Sequence, residues 1–306
     1  MRSWATAVDL FAGAGGFTEG AAAAGVRVLW AANHWPLAVE THAANHPEVE
    51  HACQDLHLAD WSRVPAHDIL LASPCCQGHS RARGKDQAHH DSSRSTAWAV
   101  VSCAEFHAPQ FVVVENVPEF QGWKLYPAWR MAMNALGYSL AEHVIDAADV
   151  GVPQHRRRLF IVGARSTVPL HLGAPAAEHR PASDVVDFEA GRWSPIERPG
   201  RAAATLARVC AGRARHGDRF LVAYYKSERG GRPLSRPLGT LPTRDRFALV
   251  DDDRMRMLTR DEIRDGMGFP AGYRLPTRHK DAVHLLGNAV CPPVVAWLLG
   301  RLKEAA

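Results

Sequence analysis

Short apolar runs alternate with helix-like stretches over the first 165 residues of the chain. Such alternation is typical of a parallel β-sheet with helices on both faces, so we predict an α/β fold with a mostly parallel, doubly wound sheet. The apolar runs lie near 5–11, 26–32, 67–72, 111–114, 140–145 and 158–163, and the helix-like stretches near 17–24, 36–45, 94–108 and 124–137.

The alternation stops near residue 166, where Pro, Gly and Arg become frequent. Pro and Gly interrupt regular elements, so this segment should form a small, irregular unit. Order returns after residue 235 with a strand near 247–250 and a final helix near 292–304. We therefore divide the chain into 1–165, 166–235 and 236–306, and we expect the last part to return to the first domain.

The 306 residues suffice for one large domain, or for a large domain with a small one attached. Hydrophobic residues make up 46% of the chain, yet no apolar stretch approaches the roughly 18 residues that a membrane span requires. The N-terminus, Met1-Arg2-Ser3-Trp4, runs straight into an apolar strand and lacks the pattern of a signal peptide. We expect a cytoplasmic protein that does not contact a membrane.

The net charge is only +4, but arginine is concentrated at 156–158, 192–215 and 229–264. Arginine suits forked contacts to phosphate and guanine, so these clusters are compatible with a nucleic acid partner. A genome of high GC content would also favour arginine and alanine, and composition alone leaves both explanations open. The cysteines and histidines lack the paired spacing of metal ligands, so we expect no metal site.

A glycine-rich turn, Ala12-Gly13-Ala14-Gly15-Gly16, follows the first predicted strand. Glycine lets the backbone approach a ligand closely, and the helix that starts after the turn offers backbone amides. A nucleotide-like cofactor is the natural occupant, although a purely structural turn would look the same. The turn is neither Gly-x-Gly-x-x-Gly nor a phosphate loop, since no Gly-Lys-Ser/Thr follows it.

The second predicted strand ends at Asn33-His34-Trp35, where nucleotide-binding domains usually carry a carboxylate for the ribose. His34 occupies that place here. Trp35 would either stack on an adenine or cover the core. Asp55 lies where a third strand would end, and its carboxylate would accept a hydrogen bond from an adenine amino group.

Two thiols, Cys75 and Cys76, follow Ser73-Pro74 in a turn behind the apolar run 68–72. Open α/β sheets place their chemistry at the carboxyl ends of buried strands, so a thiolate there is a candidate nucleophile. A buried structural cysteine is the alternative. The residues alone do not choose between the two thiols.

Glu115 follows the apolar run Phe111-Val112-Val113-Val114, and we expect these surroundings to raise its pKa so that it can donate a proton. The segment 154–158, Gln-His-Arg-Arg-Arg, leads into another strand, and alternation places Arg156 and Arg158 on one face. An arginine on a sheet face needs a partner, for which Glu115 or a substrate carbonyl would serve.

Together these patterns resemble the cytosine-C5 DNA methyltransferase family, whose fold is the Rossmann-like sheet of class I methyltransferases. The similar segments follow the family's order and cover the chain except for residues near 166–230. They are Asp9-Leu10-Phe11-Ala12-Gly13-x-Gly15-Gly16-Phe17, Pro74-Cys75-Cys76-Gln77, Glu115-Asn116-Val117, Gln154-x-Arg156-x-Arg158, Arg236-Pro237 with Thr240-Leu241-Pro242-Thr243, Gly268-Phe269-Pro270, and Gly287-Asn288-Ala289-Val290.

The resemblance implies transfer of a methyl group from S-adenosylmethionine to C5 of cytosine in DNA, with the base flipped out of the duplex. Cys76, which precedes Gln77, falls on the nucleophile that attacks C6. Glu115 would protonate or hydrogen-bond N3, and Arg158 or Arg156 would hold O2 and the carboxylate. The residues that would line the cofactor site are Phe11, Gly13, Gly16, His34, Trp35, Asp55, Pro74 and Asn288.

The resemblance also gives the parts of the chain their roles. Residues 1–165 would form the catalytic and cofactor-binding domain, 166–235 a small target-recognition region, and 236–306 a C-terminal part of the catalytic domain. The partner would be double-stranded DNA, with a cognate restriction endonuclease as a further candidate partner of a monomeric enzyme. The candidates for phosphate or guanine contacts are Arg192, Arg198, Arg213, Arg215 and Arg229.

The chain departs from the family pattern at two places that bear on function. Cys75 replaces the family's second proline and has no assigned role. His34 stands where the family normally has the ribose-binding glutamate, and Pro36 where an aspartate is common. Either imidazole or backbone makes the ribose contact, or the site accepts an S-adenosylmethionine analogue with extra negative charge.

Two further alternatives concern the substrate and the activity. The same chemistry on transfer RNA is one, since one branch of the family modifies tRNA. A non-catalytic regulator that binds DNA is the other, and intact Cys76, Glu115 and Arg158 argue against it.

Overall fold

The computed structural model describes residues 3–75, 96–225 and 228–305. By spatial contacts the chain forms two compact units, one of 1–147, 157–176 and 289–306 and the other of 148–156 and 177–288. The predicted division at 165 and 235 concerns function and stays a prediction.

Helices and strands alternate through the first unit, and a second set of strands follows in the other. The described helices are α1 (Gly16–Ala23), α2 (Pro36–Asn45), α3 (Trp98–His107), α4 (Tyr126–Ala135), α5 (Ala203–His216), α6 (Arg260–Gly266), α7 (His279–Asn288) and α8 (Pro292–Ala305). The strands are β1 (Ala5–Leu10), β2 (Val26–Asn33), β3 (Glu50–Cys53), β4 (Ile69–Ala72), β5 (Phe111–Asn116), β6 (Ser139–Asp146), β7 (Arg157–Ala164), β8 (Ser194–Pro195), β9 (Arg219–Ala223), β10 (Arg232–Pro233), β11 (Phe247–Asp251) and β12 (Arg254–Met257).

The first unit contains a seven-stranded sheet with the order β3-β2-β1-β4-β5-β7-β6. The five strands from β3 to β5 are parallel, whereas β7 runs antiparallel to both of its neighbours. The strand order reverses between β1 and β4. Right-handed crossovers on the two sides of such a reversal place helices on opposite faces of a sheet. The predicted mostly parallel, doubly wound α/β fold is confirmed.

The central strands are apolar because both of their faces are covered. Every residue of β4 and of β5 is buried, including the polar Glu115 and Asn116 at the end of β5. Parallel strands buried on two sides are continuous apolar runs in sequence, which explains why the alternation predicted them. The edge strand β3 is more polar and partly exposed, and no apolar run marks it.

Close packing of α1 against α8 closes one side of the first unit. A Cβ atom added to Gly20 would lie 2.5 Å from the carbonyl oxygen of Pro292 and 2.5 Å from the Cβ of Val295. Gly16, at the start of α1, meets the backbone of Val290 even more closely. Glycine is therefore required at both positions for the two helices to approach.

The second unit has its own sheet, with the order β10-β9-β11-β12-β8 and antiparallel pairing throughout. Helix α5 covers it, and Gly212 on that helix leaves room for the ring of the fully buried Phe220. A buried bidentate ion pair joins Arg256 to Glu262 at 2.6 and 2.7 Å. Glu262 also closes a capping box with Thr259 at the start of α6.

Among the described residues, one helical stretch, 279–305, is long and apolar enough to cross a membrane by length and composition alone. This corrects the expectation that no apolar stretch approaches that length. In the structure 72% of its most apolar window is buried, and core helices pass the same test. The stretch by itself therefore does not indicate a membrane span.

Gly20→Ala should lower the free energy of unfolding by about 1–3 kcal/mol, because the added methyl group meets atoms of α8 that cannot all move aside. The measurement is urea unfolding followed by circular dichroism. Gly300→Ala is the matched control on α8, since its Cβ would meet open space. That variant should be as stable as the parent chain or up to about 1 kcal/mol more stable, and equal effects of the two substitutions would contradict the packing argument.

Candidate functional site

The carboxyl ends of four parallel strands, β3, β2, β1 and β4, meet at one edge of the first unit. The order reversal between β1 and β4 opens a crevice at that edge, which is where open α/β sheets bind ligands. Seven of the residues predicted to bind the cofactor lie just beyond these strand ends. They are Phe11, Gly13, Gly16, His34, Trp35, Asp55 and Pro74.

The turn after β1 is held in an unusual backbone conformation. Phe11, Gly13 and Gly15 have φ values of 63°, 55° and 83°. Positive φ is strained for a bulky residue such as Phe11, and strain of this kind is concentrated at functional sites. A Cβ added to Gly13 would meet only the Phe11 carbonyl, at 3.7 Å. The turn therefore leaves free space beside the backbone of Gly13.

Asp9 lies beneath this turn and is fully buried in β1. Its Oδ2 accepts a hydrogen bond of 2.9 Å from the hydroxyl of Thr18, in the first turn of α1. Burial raises the pKa of Asp9 to about 7. Asp9 was not among the predicted site residues, although a carboxylate inside an apolar run is a signal for a role.

Residues 73–75 are the start of the segment that carries the two thiols, here called the thiol loop, and each of the three is held by hydrogen bonds. Ser73 donates from its amide to the carbonyl of Leu10 at 3.2 Å and from its hydroxyl to the carbonyl of Phe11 at 3.2 Å. The Pro74 carbonyl accepts a hydrogen bond of 3.1 Å from the side-chain Nδ2 of Asn116. The Cys75 amide donates to the hydroxyl of Thr96 at 3.1 Å. These hydrogen bonds hold residues 73–75 between the glycine turn and the end of β5. Cys76, the predicted nucleophile, lies outside the described residues.

Asn116 and Thr96 are functional candidates that were not among the predicted site residues. The side chain of Asn116 is buried, and its Oδ1 also accepts from the amide of Val117 at 2.9 Å. An asparagine buried at a strand end needs partners for both its oxygen and its nitrogen, and here one of them is the backbone next to the thiols.

Glu115 and Arg158 form an ion pair, with Oε1 and Nε 3.1 Å apart. Both side chains are largely buried, with exposed fractions of 9% and 17%. Glu115 ends β5 and Arg158 lies at the start of the neighbouring β7. The predicted pairing of Glu115 with an arginine is therefore observed, and the partner is Arg158.

Arg156 belongs to the second unit and makes different contacts. It is buried, and its two terminal nitrogens donate to the carbonyls of Leu241 at 3.1 Å and Gly287 at 2.9 Å. Gln154, two residues earlier, accepts from the amide of Leu241 and donates to the carbonyl of Gly266, both at 2.8 Å. These contacts hold backbone segments in place.

His34, Trp35 and Asp55 follow β2 and β3. His34 is exposed, and its carbonyl accepts from the thiol of Cys53 at 3.9 Å. The amide of Trp35 donates to the side chain of Asn33 at 3.0 Å as α2 begins. Asp55 is exposed and caps the short turn 56–58 through the amide of His57 at 3.0 Å. Polar groups therefore surround this end of the crevice.

Asn288 ends α7 in the second unit and is exposed. The structure assigns it to a different unit from the other residues predicted to bind the cofactor. Among the described residues there is also no group of three or more His, Cys, Asp and Glu side chains arranged to hold a metal ion.

Comparison with known proteins gives the same family over most of the chain. The model of the C-5 cytosine-specific DNA methylases matches residues 5–190 and 213–304. The type II methyltransferase M.NlaX of Neisseria lactamica is 26% identical, with 97% of this chain and 96% of that protein covered. M.BsuFI of Bacillus subtilis is 24% identical over 98% of this chain and 72% of that protein. A structure of Spodoptera frugiperda DNMT2 shares the fold, with a TM-score of 0.75 at 17% identity, and 98% and 99% of the two chains are covered.

Arg158→Met should lower the free energy of unfolding by about 1–3 kcal/mol, because it removes the guanidinium partner of a nearly buried carboxylate. Glu115→Gln in the same background should cost less than it costs alone, by about 1 kcal/mol, since the interaction is already lost. The measurement is a double-mutant cycle in urea. Arg157→Met, at the exposed neighbouring position, should change stability by less than about 0.5 kcal/mol, and strict additivity of Arg158→Met and Glu115→Gln would show that the ion pair contributes nothing.

Proposed function

Because the chain belongs to the C-5 cytosine-specific DNA methylase family, we propose that it transfers a methyl group from S-adenosylmethionine to C5 of cytosine in double-stranded DNA. The observation that carries the proposal is the anchoring of Ser73, Pro74 and Cys75. Their hydrogen bonds bring the strained turn of Phe11, the start of the thiol loop and the strand end of Glu115 to one edge of the sheet.

The crevice suits a cofactor that carries no phosphate. Asp9 already binds the amino-terminal turn of α1, so a second anion at that helix end would meet a buried carboxyl group. We propose that the backbone around Phe11 and Gly13 holds the methionine part of the cofactor, that Trp35 and Asp55 hold the adenine, and that His34 holds the ribose. When bound, S-adenosylmethionine supplies an electrophilic methyl group.

The chemistry that we propose uses three side chains. The thiolate of Cys76 forms a bond to C6 of cytosine, while Glu115 protonates or hydrogen-bonds N3, so that C5 becomes nucleophilic and takes the methyl group. S-adenosylhomocysteine is the leaving group of that transfer. The C5 proton is then lost to a water molecule, the bond between sulfur and C6 breaks to return the thiolate, and N3 gives back to Glu115 any proton that it took. Arg158 orients Glu115 through their ion pair and binds O2 of the base. Arg156 acts as a positioning residue in the second unit, because its guanidinium already holds two carbonyl groups.

A stacked cytosine cannot offer C6 to a thiolate, so the base must leave the duplex. We propose that residues 166–235 contain the target-recognition region, with 1–165 and 236–306 as the catalytic parts. Arg213 and Arg215 lie with His216 in the last turn of α5, where a helix end favours positive charge. Arg192, Arg198 and Arg229 complete the set proposed for DNA contacts. A cognate restriction endonuclease, a monomeric state and a cytoplasmic location belong to the same proposal.

A DNA duplex that contains 5-fluorocytosine should trap the enzyme as a covalent adduct, because fluorine at C5 blocks the final elimination. Denaturing gel electrophoresis should show the adduct with the parent chain and its complete loss in Cys76→Ala. Cys75→Ala is the matched control, one residue away in sequence, and should keep the adduct. Loss in Cys75→Ala with retention in Cys76→Ala would reverse the assignment of the nucleophile, and no adduct with any chain would support a non-catalytic regulator.

Mass spectrometry of nucleosides identifies both the substrate and the transferred group. Duplex DNA and transfer RNA are offered in parallel with S-adenosylmethionine labelled in the methyl group, and the nucleosides are analysed by mass spectrometry. We expect labelled 5-methylcytosine from DNA and none from tRNA. DNA from cells that express the protein should contain the same nucleoside. A heavier, acidic cytosine derivative in that DNA would contradict methyl transfer and would favour the charged cofactor analogue that His34 suggests.

A further inference from the structure

A line of four hydrogen-bonded side chains connects the buried carboxyl group of Asp9 to the surface. Thr18 Oγ1 lies 2.9 Å from Asp9 Oδ2, and His42 Nε2 lies 3.0 Å from Thr18 Oγ1. His42 Nδ1 lies 2.7 Å from His51 Nε2. Asp9, Thr18 and His42 are buried, whereas His51 on β3 is partly exposed. The residues come from β1, α1, α2 and β3, so only the fold brings them together.

Each link of this line has one hydrogen atom, and the atoms that carry these hydrogens depend on the charge of Asp9. With Asp9 ionised, His51 donates to His42, His42 donates to Thr18, and Thr18 donates to Asp9. When His51 takes a proton from solvent at Nδ1, it passes its Nε2 proton to Nδ1 of His42. His42 then passes its Nε2 proton to the hydroxyl of Thr18, and Thr18 passes its own hydroxyl proton to Asp9, which becomes protonated. His42 stays neutral in both states, and burial lowers its pKa to about 2.

The surroundings of Asp9 leave its charge poorly compensated. Its other oxygen, Oδ1, is buried and has no hydrogen-bond partner among the described residues. Ala31 on β2 and Leu71 on β4 are its register neighbours in the sheet. The titratable and charged groups on the elements packed around the line are Glu19 on α1, Arg27 on β2, Glu40 on α2 and His46 just after it, Glu48 before β3, Glu50 and Cys53 on β3, and Arg301, Lys303 and Glu304 on α8.

We propose that Asp9, Thr18, His42 and His51 form a proton relay, and that the charge of Asp9 at the far end sets the affinity of the glycine turn for its cofactor. The proposal rests on the proposed function, because it takes the cofactor to be S-adenosylmethionine. Asp9 acts as a positioning residue, since its carboxyl group is covered by the turn.

The ionised form of Asp9 should favour binding for two reasons. A carboxylate stabilises the amino-terminal turn of α1 that follows Gly15, and so fixes the glycine turn itself. S-adenosylmethionine also carries a net positive charge, which a nearby carboxylate attracts. Affinity should therefore rise with pH through the pKa of Asp9, which burial raises to about 7, and binding near that pH should release a proton.

The test is calorimetric titration of S-adenosylmethionine into the full chain in two buffers with different heats of ionisation. Affinity should rise by up to about tenfold between about pH 6 and about pH 8, with fractional proton release near pH 7. Asp9→Asn should abolish both effects. Thr18→Val and His51→Leu each remove a donor that favours the ionised state, so the midpoint of the affinity change should move to higher pH. His67→Gln, at another buried histidine of the first unit, is the control and should leave the midpoint unchanged.

The outcomes separate the relay from the proposed function. Equal affinity across pH without proton release would overturn the relay, and so would a slope that persists in Asp9→Asn, which would belong to another group such as His34. Absence of binding at every pH would instead contradict the proposed function.

The stability of the free chain gives a second, independent measurement. Folding raises the pKa of Asp9 from 3.8 to about 7, so the folded chain keeps a proton that the unfolded chain loses across this range. Relative to Asp9→Asn, the parent chain should therefore become less stable as pH rises through this window and should level off above it. A constant difference in unfolding free energy across this window would show that Asp9 is ionised throughout, and the relay would be excluded.

Discussion

Parallel pairing of β1 with β4 is the interaction on which the site depends. It puts the ends of the two strands side by side, and Ser73 then bonds through both its amide and its hydroxyl to the two residues at the end of β1 and the start of its turn. The glycine turn and the base of the thiol loop therefore cannot move independently. Asn116 extends the same constraint to β5, because its side-chain Nδ2 donates to the carbonyl of Pro74. Glu115 is the preceding residue at the end of that strand. The glycine turn, the start of the thiol loop and the end of β5 are therefore held together.

The buried carboxylate of Asp9 beneath the glycine turn lowers the stability of the fold, because burial of a charge without full compensation opposes folding. Asp9 offsets part of the cost through the hydroxyl of Thr18, at the positive end of α1. Its carboxyl group therefore lies beside the kind of helix end at which phosphate-binding folds place their ligand. Burial raises the pKa of the same group to about 7.

The sequence predicted the parts of the fold in which burial leaves a continuous apolar pattern. Strands β4 and β5 are covered on both faces and were found from their apolar runs, but β3 is a half-exposed edge strand without such a run. Helix α5 lies in a segment that looks irregular, because its polar face carries several arginines among frequent Pro and Gly. The line from Asp9 to His51 had no local signal, since its members are spread over 43 residues and meet only through the sheet order. Pairing of Glu115 with an arginine was predictable from strand ends, whereas the choice of Arg158 over Arg156 was not.

The two arginines show why similar positions in a sequence pattern do not imply one role. Arg158 lies in β7 beside the acid of β5, and its guanidinium pairs with Glu115. Arg156, two residues earlier, is committed to the carbonyls of Leu241 and Gly287. Gly287 in turn must lack a side chain, because its Cβ would lie 2.5 Å from the carbonyl oxygen of Pro242. Segments 154–156, 240–243 and 287–288 are far apart in sequence, and these contacts hold them together in the second unit. The pattern Gln-x-Arg-x-Arg therefore combines two structural roles: Gln154 and Arg156 hold these segments of the second unit together, and Arg158 pairs with Glu115 in the first unit.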